Sequence, residues 1–441
     1  MNTQYQSKLI SAVEAAGLVR SGMWLDYGAI CGFPSLIDQK LSERASELKN
    51  VKIRGEHSHT CIPQIDPNQE HFIYNSWFLG RLERQFSDRG ACSYIPFNLG
   101  EGPRMYREWL RDEVDITFIE VAPLDSQGYF NFGAATTRQK AATEAAKMVV
   151  LEVNPYQPCV YGGFDERIHI SEVDYIVENN EYMIPEFPLT EITPTDRLVA
   201  RHLTELIADG STIQLGVGAV PNAVGKLLIE HGFRDLGIHS EMFSDAMMEM
   251  MEAGVVTGAA KMIDRGKAVF CFAAGTRRLY EFLDHNLKVA GYPSDYTNNA
   301  DIIRQNHGQI AINSALRVDL KGQVCSETVG ARHISGTGGQ LDFTRGAYLS
   351  PGGKGFICMH ATRQDKSGNL ISAIVPTLER GDTVTVPATD TFYIATEYGV
   401  VNLKGRTQWE RARLLISVAH PDFRDELERA ARQQNLIPKS I

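Results

Sequence analysis

The sequence has few cysteines, no long apolar run and no excess of basic charge. Its 441 residues include seven cysteines, all isolated along the chain, so neither a disulfide framework nor a Cys-x-x-Cys zinc site is indicated. No segment approaches the ~20 apolar residues that cross a bilayer, and the N-terminus lacks the apolar core of a signal peptide. The net charge of −10, from 44 basic and 54 acidic residues, argues against a nucleic-acid or anionic-membrane partner. These absences predict a cytoplasmic protein.

What the sequence does contain is an alternation of short apolar runs with amphipathic stretches. At 43% hydrophobic and 22% charged residues, the chain has enough apolar material for sizeable cores, which excludes a mostly disordered protein. The alternation predicts an α/β fold with mainly parallel sheets. Strands are predicted to start near Met23, Val114, Lys147, Ser211 and Lys267, and helices near Pro34 and Pro221.

A proline-rich segment, Met183 to Asp196, is the predicted boundary between two domains. It contains three prolines and three threonines and has little helical periodicity. Thr195 or Asp196 is expected to cap the helix that follows. We therefore predict one domain over residues 1–190 and a second over residues 191–441.

Three pairs of segments recur in the same order in these two parts. Both members of the first pair contain a turn, a strand ending in glycine, a loop of small residues and a proline that opens a helix. The pairs begin at Ser21 and Asp209, at Asn50 and Asp235, and at Leu124 and Gln364. This order predicts two similar open α/β domains related by internal duplication, with an active site between them.

A Gly-Val-Gly element, Gly216 to Gly218, lies between a predicted strand and the helix near Pro221. Free backbone N–H groups at such a turn favour an anion, either a phosphate or an oxyanion. A tight strand-to-helix turn with no ligand explains the same pattern equally well. Pro221 replaces the third glycine of the dinucleotide fingerprint, which makes a dinucleotide site less favoured.

Two carboxylates occupy equivalent places in the two parts. Glu241 follows an apolar strand near the Gly216 loop, and Glu56 is its counterpart in the first part. Either is placed for catalysis, and either is equally typical of an exposed glutamate at the start of a helix. The residues alone do not choose between them.

A group of glycines in the second part suggests close backbone approach to a ligand, with Lys354 available for a phosphate. Ordinary connecting loops are the alternative. Its members are Gly336, Gly338, Gly339, Gly352, Gly353 and Gly355. His57 and His59 have no evident third ligand, so no metal site is predicted.

Six motifs together identify a family. The sequence contains GVGAVPNAV, HSEMFSD, INSALRVDLKGQV, GTGGQLDF, SPGGKGFI and EYGVVNLKGRT in this order. The chain resembles the acetyl-CoA hydrolase/transferase family over its whole length, and within it the 4-hydroxybutyrate and butyrate CoA-transferases. The resemblance implies a CoA-transferase fold of two similar α/β domains and CoA as substrate, with no permanently bound cofactor. It also implies small acyl-CoA and carboxylic-acid partners and a homo-oligomer.

The resemblance also assigns residues. It implies that Glu241 is the covalent nucleophile of a ping-pong reaction through a glutamyl-CoA thioester. The backbone N–H groups of Val217 and Gly339 would form the oxyanion hole. Contacts to CoA would come from Gly216, Gly218, Gly338, Lys354 and Asn313, and an acyl pocket from Ala29, Cys31, Phe33 and Met242.

One departure and three alternatives stand beside this hypothesis. Family members usually continue the nucleophile motif as Ser-Asp-Gly, whereas this chain has Ala246 after Ser244 and Asp245. The change should leave the chemistry intact, because alanine favours a helix more than glycine does. The alternatives are an acyl-CoA hydrolase on the same fold, a nucleotide-cofactor enzyme that uses the Gly216 loop, and a non-catalytic CoA-binding protein.

Overall fold

Two parallel sheets with helices on their faces make up the fold, which we describe from a computed structural model covering residues 3–56, 66, 68–187, 190–365 and 367–438. Within these residues the strands are β1 (Trp24–Tyr27), β2 (Val51–Gly55), β3 (Phe72–Ser76), β4 (Cys92–Tyr94), β5 (Ile116–Val121), β6 (Tyr129–Asn131), β7 (Met148–Val153), β8 (Arg167–His169), β9 (Tyr175–Glu178), β10 (Thr212–Leu215), β11 (Gly237–Ile238), β12 (Met242–Phe243), β13 (Ala268–Phe270), β14 (Phe272–Ala273), β15 (Val289–Gly291), β16 (Gln309–Ser314), β17 (Arg317–Asp319), β18 (Val324–Cys325), β19 (Thr328–Val329), β20 (Arg332–His333), β21 (Lys354–Cys358), β22 (Thr362–Gln364), β23 (Leu370–Ser372), β24 (Ile374–Val375), β25 (Tyr393–Thr396) and β26 (Gly399–Asn402).

Helices connect most of these strands, as parallel pairing requires. The described helices are α1 (Thr3–Lys8), α2 (Ala12–Gly17), α3 (Ser35–Ser42), α4 (Arg81–Ser87), α5 (Gly102–Glu108), α6 (Gln139–Ala145), α7 (Pro194–Thr204), α8 (Ala219–Glu230), α9 (Asp245–Glu252), α10 (Arg277–Leu283), α11 (Ser294–Thr297), α12 (Ala300–Ile303), α13 (Gln340–Leu349), α14 (Gln408–Ser417) and α15 (Pro421–Gln433), and short 3-10 helices lie at Ile30–Gly32, Ala45–Glu47, Leu99–Glu101 and Ile170–Glu172. None of them is long and apolar enough to cross a membrane.

The two sheets have the same central topology. The first sheet has the strand order β4-β3-β2-β1-β5-β7-β9, and every pairing in it is parallel. The second has the order β11-β10-β16-β21-β25-β26, with only β26 antiparallel. In the first sheet β1 lies between β2 and β5. In the second sheet β10 lies between β11 and β16, so the first strand of each half has equivalent neighbours. The prediction of two similar α/β halves is confirmed.

The third pair of repeated segments is matched wrongly in the sequence. The turn at Asp125 follows β5, and β5 lies beside β1 as β16 lies beside β10. Its structural counterpart is therefore the turn at Asp319 after β16, and not the one at Asp365, which follows β21. All three are the same kind of turn, in which the aspartate Oδ1 accepts the backbone N–H groups two and four residues ahead. Because this turn requires similar residues wherever it occurs, the three segments look alike in sequence.

The helix that follows the predicted boundary begins earlier than expected. Thr193, and not Thr195 or Asp196, is its N-cap, and its side chain accepts the N–H of Asp196. Pro194 takes the first helical position, where a missing N–H costs nothing. The last strand of the first sheet ends at Glu178, so residues 179–193 lie between that sheet and α7 in the sequence, and β10 begins only at Thr212. The boundary at residue 190 itself stays a prediction.

A continuous seam joins the two halves. Backbone bonds cross it from Thr136 N to Cys271 O at 2.8 Å and from Ala273 N to Ala134 O at 2.7 Å. The largest apolar cluster contains side chains of both halves, from Ala29 and Trp77 in the first half to Phe272 in the second. The seam is therefore part of the hydrophobic core, and groups that line it hold fixed positions.

Two carboxylates are buried side by side at the carboxyl end of the first sheet. Glu120 on β5 is in register with Glu152 on β7, and both hydrogen-bond the amide of Asn179. Glu152 also accepts the N–H groups of Leu36 and Ile37 at the start of α3, at 3.0 and 2.9 Å. Burial raises the pKa of Glu152 to about 7, and burial together with the Glu152 charge raises the pKa of Glu120 well above its ordinary value. The pair therefore retains a proton near neutral pH.

Glu120→Gln should become more stable than wild type as the pH rises. The folded wild-type pair keeps a proton that the unfolded chain releases above about pH 4.3, so wild-type stability falls by up to about 1.4 kcal/mol per pH unit until the folded pair ionises. A neutral glutamine removes the part of that loss that Glu120 contributes, whereas Glu152, whose pKa is raised by its own burial, keeps its part. Urea unfolding between pH 5 and 8 measures the difference, with exposed Glu426→Gln as control. Parallel stability curves for wild type and Glu120→Gln would contradict the shared proton.

Candidate active site at the seam between the two halves

Glu241 lies on the seam, just beyond the carboxyl end of β11. Its carbonyl oxygen accepts the N–H groups of Cys271 and Phe272 at 3.0 and 3.2 Å. The next residue, Met242, opens β12, which pairs with β14. The backbone is therefore fixed on both sides, while the side chain remains partly exposed. This is the edge of a parallel sheet at which α/β proteins bind ligands.

The Glu241 carboxylate is held by an amide and a glycine. Asn298 Nδ2 donates to Glu241 Oε2 at 2.8 Å, and Thr297 Oγ1 donates to Asn298 Oδ1 at 2.8 Å, which fixes the amide orientation. Gly339 lies directly against the same carboxylate, where no Cβ would fit beside Glu241 Oε2. Burial raises the pKa of Glu241 to about 7, against the opposite effect of the Asn298 hydrogen bond, and the nearby charge of Glu56 raises it further.

Glu56, the other carboxylate that the sequence singled out, lies close by but in a different environment. Its Oε1 accepts a hydrogen bond from Arg138 Nη1 at 3.1 Å, and both side chains are buried. Arg138 in turn packs over the rings of Trp77 and Phe97. Among the described residues no lysine or arginine pairs with Glu241. The charge of Glu56 is thus balanced by Arg138, whereas the Glu241 carboxylate has no such ion pair among the described residues.

Glycine is required where the second-half loop meets Glu241. A Cβ on Gly339 would overlap both Glu241 Oε2 and Asn298 Nδ2. Gly338 has a φ of +57°, and its carbonyl accepts the N–H of Leu99 from the first half at 3.1 Å. Gly336 packs against Phe78, also in the first half. These three glycines bring the loop onto the seam.

The rest of the predicted glycine group lies elsewhere. Lys354 begins β21 in register with Ile310, while Ile357 pairs with Asn313 near the carboxyl end. Three residues at about 3.3 Å each place Lys354 roughly 10 Å from the edge that carries Glu241. Gly352 and Gly353 precede Lys354 at this opposite edge, where Gly353 packs against Ser350 and Gly352 faces open space. Lys354 therefore lies at the opposite edge of the sheet from Glu241, and its contact with a CoA phosphate stays a prediction.

The Gly216 loop lies beside Glu241, since β10 is the neighbour of β11. Gly216 N donates to Ile312 O at 2.8 Å, and a Cβ on Gly216 would lie 2.9 Å from Asn313 Oδ1. Asn313 and Gln214 exchange two side-chain hydrogen bonds at 3.1 Å. The amide of Asn313 therefore supports this turn and has a protein partner.

The start of α8 leaves its backbone donors open. Gly218, with a φ of +137°, is the N-cap and provides no side-chain acceptor. Within the described part of the chain, the N–H of Val217 makes no hydrogen bond, and its side chain is 71% exposed. The corresponding helix of the first half, α3, has its first N–H groups filled by Glu152. The start of α3 thus binds the carboxylate of Glu152, whereas the equivalent start of α8 is left free for an anion from outside.

The predicted acyl-pocket residues divide between two cores. Ala29, Cys31 and Met242 belong to the apolar cluster of the seam. Phe33 does not join them, because it packs edge-on against Tyr27 in the core of the first half, with ring centroids 5.2 Å apart. Ala246 lies in α9, as its helix preference predicts, and is buried.

Sequence reasoning missed Asn298, Arg138 and Asp342. Asn298 lies between two one-turn helices and Arg138 precedes α6, with no local pattern at either position. Asp342 belongs to the GTGGQLDF motif, where only the glycines drew notice. His57 and His59 lie outside the described residues. Among the residues that the structure describes, no group of three His, Cys, Asp or Glu side chains is placed to bind a metal.

Comparison with known proteins gives a consistent result. Models of the acetyl-CoA hydrolase/transferase N-terminal and C-terminal domains match residues 1–188 and 275–431. The butyryl-CoA:acetate CoA-transferase of Anaerostipes caccae is 43% identical over 99% of this chain and 98% of its own. The 4-hydroxybutyrate coenzyme A transferase of Clostridium kluyveri is 38% identical over 96% of this chain and 97% of its own.

A solved structure extends the match to three dimensions. The crystal structure of RipA from Yersinia pestis superposes with a TM-score of 0.90 at 34% identity, over 98% of this chain and 99% of RipA. Sequence and fold therefore agree over nearly the whole length. The chain belongs to the acetyl-CoA hydrolase/transferase family.

Proposed function

We propose that this protein transfers CoA between a short-chain acyl-CoA and a free carboxylate such as acetate, through a thioester on Glu241. The observation that carries the proposal is the Glu241 carboxylate, which Asn298 holds on the seam and which pairs with no lysine or arginine among the residues that the structure describes. Butyryl, 4-hydroxybutyryl and acetyl groups are the first acyl groups to test, because similar enzymes carry those names. The homo-oligomer and the cytoplasmic location stay predictions.

The environment of Glu241 suits a nucleophile. A carboxylate is ordinarily a weak nucleophile, and burial, which raises the pKa of Glu241 to about 7, makes it more basic. Asn298 and Gly339 fix the carboxylate direction before substrate binds. Orientation of this kind removes much of the entropic cost of bringing two reactants together.

The reaction then balances without an external proton or cofactor. A Glu241 oxygen attacks the thioester carbonyl, the C–S bond breaks, and an acyl-glutamyl anhydride and CoA thiolate form. The thiolate attacks the Glu241 carbonyl carbon and expels the first carboxylate, which leaves glutamyl-CoA. A second carboxylate enters and reverses both steps. The energy of the thioester is retained because each intermediate is also an activated acyl group.

Each tetrahedral intermediate needs hydrogen-bond donors for its oxyanion. Val217 and Gly339 are proposed for this role, since the N–H of Val217 is open and Gly339 lies directly against Glu241 Oε2. The filled counterpart in the first half, where Glu152 occupies the helix start, supports the affinity of this backbone geometry for an anion. Loss of one such donor typically costs about 3 kcal/mol in an acyl-transfer enzyme.

The CoA contacts are proposed for Gly216, Gly218 and Gly338. Their backbone conformations allow a ligand to approach closely, and the loops that carry them lie beside Glu241. Asn313 supports the Gly216 turn and Lys354 lies at the far edge of the sheet, and the CoA contacts of both stay predictions.

Intact-protein mass spectrometry tests the proposal. Wild type mixed with butyryl-CoA, without an acceptor, should gain the mass of one CoA on the peptide that contains Glu241, and addition of acetate should remove it. A Glu241→Gln variant is the matched control and should gain nothing. Steady release of free CoA without acetate would favour the hydrolase alternative, and an adduct on any other peptide would contradict the assigned nucleophile.

A further inference from the structure

His239 is the first residue of the HSEMFSD motif and lies two residues before Glu241. It follows directly after β11, and its side chain is fully buried. The imidazole ring lies beside the rings of Tyr296 and Phe343, with centroids 6.2 and 6.3 Å away. A buried imidazole needs a hydrogen-bond partner, and the partner of this one leads to the side chain that holds Glu241.

The imidazole donates to the end of a helix. His239 Nε2 lies 3.0 Å from the backbone carbonyl oxygen of Thr297, the last residue of α11. Because a carbonyl oxygen can only accept, Nε2 carries the hydrogen of this bond. Burial, and then the charge of Lys261, lower the pKa of His239 to about 3, so the ring is neutral at neutral pH. His239 thus fills one of the carbonyl groups that a helix end leaves without a partner.

Asn298 follows directly on this carbonyl group. It is the C-cap of α11, and its N–H donates to Ser294 O at 2.9 Å. At the other end of α11, Ser294 N donates to Thr137 O of the first half at 2.7 Å. A helix of one turn has too few internal hydrogen bonds to be stable by itself. The position of Asn298 therefore depends on the groups that hold the two ends of α11, which are Thr137 and His239.

The hydrogen bonds from His239 return to Glu241. Thr297 Oγ1 donates to Asn298 Oδ1 at 2.8 Å, and Asn298 Nδ2 donates to Glu241 Oε2 at 2.8 Å. The series begins on the segment His239 to Glu241 and ends on the same segment. The amide of Asn298 is thereby positioned relative to the backbone that carries the nucleophile.

We propose that His239 is a positioning residue for the covalent step. This inference rests on the proposed function. The fully buried side chain of His239 is out of reach of substrate, so it acts through Thr297 and Asn298, which direct the Glu241 carboxylate at the thioester carbonyl. Without the Nε2–H donor, the end of α11 is released and Asn298 no longer holds Glu241 in one direction. The attack then loses part of the rate advantage that a fixed orientation gives.

A double-mutant cycle between His239 and Asn298 tests this inference. Wild type, His239→Phe, Asn298→Ala and the double variant are mixed with butyryl-CoA and quenched at set times. Mass spectrometry of the peptide that contains Glu241 then gives the rate of CoA adduct formation. Phenylalanine keeps a ring between Tyr296 and Phe343 but has no hydrogen-bond donor.

The two changes should not be additive. His239→Phe should slow adduct formation at saturating butyryl-CoA by about 10- to 100-fold, the range expected when a buried polar group loses its partner. The butyryl-CoA concentration that gives half the maximal rate should stay the same, because His239 does not touch substrate. In the Asn298→Ala background, where the amide is already absent, the same change should alter the rate by less than about twofold.

Two further variants separate the hydrogen bond from the ring. Glutamine places its amide nitrogen near the position of Nε2 and can still donate to Thr297 O, whereas the shorter asparagine places it near the position of Nδ1. His239→Gln should therefore retain most of the wild-type rate, and His239→Asn should be as slow as His239→Phe. Ile238→Val removes one methylene group from the buried residue before His239 and is the control for lost stability. It should keep the wild-type rate.

Thermal unfolding shows which variants are folded, and His239→Asn takes the place of His239→Phe in the cycle if the latter does not fold. Three results would each overturn the role of His239: a wild-type rate in His239→Phe, an equal loss from this change with and without Asn298, or a folded His239→Gln that is as slow as His239→Asn. A wild type that forms no adduct on Glu241 would instead overturn the proposed function, so the two failures are distinguishable.

Discussion

Glu241→Ala should lower kcat for CoA transfer from butyryl-CoA to acetate by about 10⁴-fold or more, since it removes the atom that carries the covalent intermediate. Stability should change little, because the side chain is partly exposed and its backbone contacts are retained. Chromatographic measurement of acetyl-CoA formed over time gives the rate. Circular dichroism and thermal unfolding confirm that the variant is folded.

A surface glutamate of the next helix provides the matched control. Glu252, at the end of α9, pairs with Arg278 and has a 40% exposed side chain. Glu252→Ala should retain wild-type turnover. Should Glu241→Ala keep a substantial part of the wild-type rate, the protein would transfer CoA by direct attack of the acid on the thioester, and the covalent mechanism would be wrong.

Gly339→Ala should lower kcat by about 10²–10³-fold, the loss typical of a misplaced oxyanion donor. The backbone itself tolerates alanine, because φ is −106° at this position. The added methyl group, however, would overlap Glu241 Oε2 and Asn298 Nδ2, so these two side chains must move and their hydrogen bond is disturbed. Steady-state kinetics with butyryl-CoA and acetate measures the effect.

Gly355→Ala is the control from the same glycine-rich region. A Cβ at Gly355 would make ordinary contacts of 3.4 Å and more with Thr344, and the residue belongs to β21 at the other edge of the sheet. Its turnover should stay close to wild type. An equal loss of turnover in both variants would mean that alanine in this region lowers activity by destabilising the fold. A Gly339→Ala enzyme with full activity would show that this loop takes no part in the mechanism.

The strands were predictable from the sequence because each is a local apolar run. The runs near Met23, Val114, Lys147, Ser211 and Lys267 all contain strands of the structure. Helix limits were less predictable. The helix near Pro221 starts two residues earlier, at Ala219, because Gly218 can take the positive φ of the cap. The helix near Pro34 begins one residue later, at Ser35, and ends at Ser42.

Site residues could be predicted only where they belong to a short sequence motif. Glu241 and the glycines at 216, 218, 338 and 339 were identified through short motifs, and the structure brings them to one edge of the second sheet. Glu56 and Glu241 could not be separated in the sequence, because the difference between them is the partner Arg138, which lies 82 residues from Glu56. A contact at that separation leaves no local pattern.

Order and spacing along the chain are enough to predict the α/β class and the duplication. The motifs identify the family by resemblance, and the resemblance in turn selects Glu241 as the candidate nucleophile. The groups that surround Glu241 became known only from the folded chain. The Asn298 amide, the Asp342 carboxylate and the first-half residue Gly100 meet there through chain segments far apart in sequence. Lys354 lies among glycines in the sequence but at the opposite end of a strand in space. The physical reason is the same for both: a parallel sheet collects the carboxyl ends of distant strands at one edge and separates residues that are near neighbours along one strand.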